Sequence, residues 1–193
     1  MKMTGKVSRV YKKIPHSSLG IFKVTDYPFE ERDFKPFALS RICVLDDKFL
    51  VVRMWSFEVD PKATVTAPTE DIFNDSTLSF VIEKNGKMLV FTVNNKGVVF
   101  VQDEEKSPVL ETQIHTHFFT GEDLQGIYWG AEIKIDFDFL EKHIDVTAKD
   151  ESFKGNVYKT SFGEKKHFGG FFEVKQADLF CKDSLGTFEI TQY

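Results

Sequence analysis

The chain has 193 residues, of which 28% are charged and 41% hydrophobic, with a formal net charge of −5. That balance describes one water-soluble globular domain spanning residues 1–193, with a sizeable core. Lys and Arg are scattered among Asp and Glu, so no basic stripe is available for nucleic acid, and no apolar run approaches the roughly 18–20 residues of a membrane helix.

Phe is unusually abundant, at 21 residues, and few stretches carry helical periodicity, which favours packed sheets. The opening MKMTGKVSRVYKKIPH is basic and lacks the apolar centre of a signal peptide, predicting a cytoplasmic protein, or an extracellular one if a leader has been removed. Residues 36–59 read as a hairpin: a run from Ala38 to Leu45, a turn over Asp46-Asp47-Lys48, then Phe49 to Val59. Thr77–Glu83 and Lys87–Asn94 flank Lys84-Asn85-Gly86, where Asn-Gly is a strong hairpin turn. Val98–Gln102 makes a further strand, and the charged stretch Asp103–Pro108 a loop.

Leu110–Phe119 alternates, Gly121–Gly126 turns, and Ile127–Ile135 alternates again, placing Trp129 in a core strand. Asp138–His143 is the single helix-like segment; Gly155–Lys159, Phe168–Val174 and Thr187–Thr191 complete the strands. Short strands at regular spacing predict an all-β fold, an antiparallel β-sandwich of immunoglobulin or jelly-roll type with one short helix.

Catalytic and metal signals are sparse. His115 and His117 share one strand face, a legitimate metal-binding geometry, but no third ligand lies close in sequence. Cys43 and Cys181 sit far apart, outside any metal spacing, and read as free buried thiols. No nucleophile elbow, phosphate loop or calcium loop occurs, so neither a catalytic residue, a metal nor a cofactor is assigned, a structural calcium having no supporting motif. What remains is a binding surface. Aromatic faces at strand ends and loops stack on sugar rings, and polar neighbours bond the hydroxyls.

The order of motifs resembles the family 9 carbohydrate-binding modules, particularly diverged standalone domains of bacteria. The matching stretches are ICVLDDKFLVVRMWSFEVD (42–60), FNDSTLSFVI (73–82), MLVFTVNNKG (88–97), YWGAEIKIDFDFL (128–140), GNVYK (155–159), HFGGFF (167–172) and LGTFEI (185–190). Together they cover roughly residues 36–191. The resemblance implies a β-sandwich that clamps a mono- or oligosaccharide between two rings, here Phe73 and Phe180, as part of carbohydrate catabolism. It places Asn94 and Asp75, with Asn156 and Lys159, as hydrogen-bonding partners of the sugar. Departures are plain: an acidic residue expected just past Asp75 is replaced by Leu78 and Ser79, and a charged residue two before Asn94 is Thr92. These losses predict weak binding of the usual sugar. Two alternatives stay open: a small carbohydrate-active hydrolase, and an interaction domain that has kept the fold and lost the ligand.

Overall fold

The computed structural model describes residues 3–30, 32–110 and 114–192, whose backbone forms twelve strands of a single sheet. In chain order these are β1 (Thr4–Val10), β2 (Phe22–Val24), β3 (Phe37–Leu45), β4 (Phe49–Phe57), β5 (Thr77–Lys84) and β6 (Lys87–Asn94). They continue with β7 (Val99–Asp103), β8 (Ile114–Asp123), β9 (Gly126–Asp136), helix α1 (Phe137–Ile144), β10 (Ser152–Ser161), β11 (His167–Gly170) and β12 (Gly186–Gln192).

The hairpins form where the turn chemistry demands them. Asn85 and Gly86 both adopt positive φ, 54° and 90°, so Lys84 pairs directly with Lys87 across a two-residue turn. Asp46 and Asp47 are also left-handed, which a short polar side chain tolerates better than an apolar one. Alternation then sorts the side chains: along β4, Leu50, Val52 and Met54 are fully buried, while Arg53, Trp55 and Phe57 are only half-buried.

The strand order is β7-β6-β5-β10-β12-β1-β3-β4-β9-β8, with β11 on β10 and β2 on β3. This differs from the expected antiparallel sandwich. Two antiparallel halves exist, but β1 runs parallel to both β12 and β3 and joins them edge to edge. The result is one large mixed sheet, nearly barrel-shaped. Its two free edges, β7 and β8, approach each other. Val99, Phe100 and Val101 share a cleft with Ile114 and Thr116, and a β-carbon on Gly97 would lie 3.7 Å from the Phe118 ring.

Two further differences concern strand ends. The expected strand Leu110–Phe119 includes residues 111–113, which lie outside the described residues; from Ile114 it runs through the expected turn as far as Asp123. The expected Phe168–Val174 strand stops at Gly170. The chain then loops back over the outer face of β10, β5 and β6, burying Val174 and Leu179 against Val81, Val90 and Tyr158.

One interior cluster draws residues from nearly every strand, from Val7 to Phe188. Helix α1 closes one end of it. The Asp136 carboxylate accepts the Asp138 N–H at 3.0 Å as a helix cap, and Phe137, Phe139, Leu140 and Ile144 point inward. Phe139→Ala is expected to cost about 3–5 kcal/mol in urea unfolding. A loss below about 1 kcal/mol would mean that the helix contributes little to the core.

Candidate functional site

The barrel end opposite α1 is plugged by charge. Lys159 sits on the inner face of β10 and is fully buried, while Glu58, one residue past β4, has a side chain only 9% exposed. The ammonium has three protons and three acceptors: Glu58 Oε2 at 3.3 Å, His167 Nε2 at 3.0 Å and the Ser76 hydroxyl. Ser76 Oγ in turn donates to Glu58, and Trp129 Nε1 donates to Glu58 Oε2 at 3.0 Å. The His167 tautomer follows from its neighbours. Nδ1 faces the Lys165 carbonyl at 2.7 Å and must donate, which leaves Nε2 as an acceptor for Lys159.

The electrostatics follow from this geometry. Burial alone would raise the Glu58 carboxyl, but the Lys159 ammonium and the Trp129 and Ser76 donors hold it below its ordinary value. Burial lowers Lys159, against the opposing pull of Glu58. Burial, and then the adjacent Lys159 ammonium, push His167 down to about 4.

The other polar residues assigned from the sequence are equally committed. The Asp75 carboxylate accepts the Thr64 and Val65 N–H groups, the Thr64 hydroxyl and the Asn94 amide at 2.8–3.0 Å. Burial would raise it, but those donors keep its pKa below the usual value. Asn94 Nδ2 also donates to the Val65 carbonyl, while its Oδ1 accepts the N–H groups of Lys96 and Val98. It therefore closes its own turn, with Gly97 at φ 86°. The Asn156 amide accepts from Val157 and Phe172 and donates to the Phe172 and Ser184 carbonyls. All four of Asp75, Asn94, Asn156 and Lys159 are 0% exposed. Their hydrogen-bonding capacity is met inside the protein, whereas the sequence reading expects them to face a sugar.

Phe73 and Phe180 behave differently. Both are half-buried, and both line one open groove of about 430 Å³, together with Glu70, Gln102, Lys106, Phe162 and Leu179. A short turn over Glu70–Asn74 carries Phe73, and the Phe162 N–H donates to the Phe73 carbonyl at 2.8 Å, which brings both residues to the same groove. The opposite wall is the long loop after β11, where the Phe180 N–H donates to Asp178 Oδ1 at 3.0 Å. Asp75 and Asn156 thus have a positioning role: the first anchors the chain just after Phe73, the second pins the loop carrying Phe180.

Sequence reasoning missed Glu58, Trp129 and His167 as partners of Lys159, and Glu70, Gln102, Phe162 and Asp178 as groove walls. Glu58 lies near the end of the longest matching motif, the one available signal; the groove residues come from four separate segments and carry none. His115 and His117 stand exposed on edge strand β8, opposite Lys134 and Glu132. Cys43 and Cys181 are free and buried, as expected.

Two outcomes test the plug. Lys159→Met alone should destabilise by about 3–5 kcal/mol, since it strands the buried Glu58, whereas the double variant Glu58→Leu/Lys159→Met should recover most of that loss. Equal losses in both would contradict a coupled pair. The second outcome concerns acid. Below 6.5 an unfolded chain protonates this histidine, whereas folded His167 resists until about 4. Its contribution is therefore complete above 6.5 and lost as the pH falls towards 4, roughly 3 kcal/mol in all. Urea unfolding across that window should flatten in His167→Gln; an unchanged slope would refute this assignment.

No protein family matches the chain as a whole or in part, and no curated protein is significantly similar to it in sequence. In three dimensions it is similar to a solved structure, a putative carbohydrate-binding protein from Bacteroides uniformis. The TM-score is 0.81 at 14% identity, over 99% of this chain and 100% of the other. At that identity the likeness speaks for a shared fold.

Proposed function

We propose that this chain is a non-catalytic carbohydrate-binding domain, a diverged relative of the family 9 modules, whose site is the groove between Phe73 and Phe180. The observation that carries this reading is the groove itself. Two phenyl rings fixed on separate loops, with Phe162 beside them, offer apolar faces to a sugar ring. Glu70, Gln102 and Asp178 supply polar groups at its edge. The structural neighbour, described as carbohydrate-binding, is consistent with the same use.

Binding without bond cleavage suits this lining. Retaining and inverting glycosidases alike need two carboxyl groups free to act across the scissile bond. Of the two carboxylates here, Asp178 is tied into its own turn by the Phe180 N–H. Affinity should be modest, because a shallow groove recovers little beyond the cost of ordering the ligand.

Isothermal calorimetry with cello-, xylo- and manno-oligosaccharides tests this directly. Phe73→Ala and Phe180→Ala should each weaken binding by about tenfold, near 1.4 kcal/mol, with a stability loss smaller than that of a core Phe, since both rings are half-buried. Asn156→Ala should weaken binding and lower the melting temperature together, since it acts through the loop. No heat from any saccharide in a broad panel would end this reading, and release of chromophore from aryl glycosides would replace it with the hydrolase.

A further inference from the structure

The groove carries a chemical bias. Its polar groups, apart from one, are acceptors. Glu70 has no ion-pair or hydrogen-bond partner for its carboxylate among the described residues. Gln102 is 2% exposed, and its amide orientation is fixed because Nε2 donates to the Lys106 carbonyl at 2.7 Å; Oε1 is left with no partner. A buried acceptor without a donor is costly, and a donor brought by a ligand would relieve that cost. Asp178 completes the set, so two carboxylates and one orphan carbonyl surround three phenyl rings.

The exception is Lys106, which already sits where such a lining would hold a cation. Its Nζ lies 5.0 Å from the centre of the Phe180 ring and 3.6 Å from Asp178 Oδ2. A cation over an aromatic face beside a carboxylate is a recurrent way of recognising ammonium groups. The turn that presents Lys106 is built for it. Asp103 Oδ1 accepts the Glu105 and Ser107 N–H groups, and Lys106 itself is held at φ 64°, a conformation more natural to Gly or Asn. Yet the side chain is 57% exposed, and its only ion pair among the described residues is a long one to a 43% exposed partner. It can swing away at little cost.

We infer that the groove selects a protonated amino sugar, whose ammonium takes the place of Lys106 Nζ between the Phe180 face and Asp178, with Glu70 and Gln102 Oε1 accepting from its remaining N–H and O–H groups. This rests on the reading of the groove as a sugar site and narrows it to a ligand class. Lys106 is then an internal competitor that holds the cation position until the ligand arrives. Neutral sugars gain the stacking and can donate O–H groups to the acceptors, but bring no positive charge to the two carboxylates, and acidic sugars are repelled by them.

Calorimetry on the full chain at mildly acidic pH decides it, with short glucosamine oligomers, their N-acetylated counterparts and glucose oligomers of the same linkage. The amine series should bind about tenfold more tightly than either neutral series, and the preference should shrink as salt is raised. Lys106→Met removes the competitor while keeping the stem that packs by Phe180; it should tighten amine binding several-fold and leave neutral sugars unaffected. Lys106→Met/Phe180→Ala should abolish that gain. Equal affinity for amine and neutral oligomers would overturn the inference while leaving the groove a sugar site. Silence toward all three series, in wild type and Lys106→Met alike, would remove both. Weaker amine binding in Lys106→Met would show that Lys106 contacts the ligand and is no competitor.

Discussion

A single ammonium group organises the open end of this barrel. Lys159 is out of reach of water, so each of its protons must find an acceptor within the protein, and the acceptors come from three different places: Glu58 after β4, Ser76 before β5 and His167 at the start of β11. Trp129 from β9 then fixes the Glu58 carboxylate. Buried charges are tolerated only when paired and hydrogen-bonded. The cluster therefore constrains where five segments end relative to one another, and the loops that build the groove leave from those ends.

From this plug outward, the polar residues form a second tier. Asp75 and Asn94 tie the 64–65 segment to the ends of β5 and β6, and Asn156 ties β10 to the loop after β11. Each has its hydrogen-bonding capacity filled by backbone or neighbouring side chains. Buried amides and carboxylates used in this way specify a loop conformation, because any alternative leaves several strong groups unpaired. The groove walls are loops, but their footings are part of the core.

Much of this was legible in the sequence, for local reasons. Asn85-Gly86 and the Asp46-Asp47 pair set their hairpins through backbone conformation alone, and the alternation of β4 and β9 set which face is wet. The parallel strand β1 was not legible. Thr4–Val10 carries a Lys and an Arg that mask its pattern, and its partners lie at Thr187–Gln192 and Cys43–Leu45, far away in the chain. Without it two sheets are the natural expectation; with it they become one. Phe73 and Phe180 were picked out because aromatic residues in polar loops are conspicuous. Lys159 stands out through the GNVYK stretch of the family resemblance, but sequence cannot say whether such a group faces a ligand or a buried counter-charge.

The joining role of β1 has a mechanical consequence. Because it links the halves in parallel, the first strand of the chain is held between its last strand and a hairpin formed early in the sequence. The two halves can assemble their hairpins separately, but they cannot be closed into one sheet until β1 and β12 are both present. A nascent chain lacking β12 would therefore leave an open seam along β1, so closure of the barrel must wait until β12 has been made.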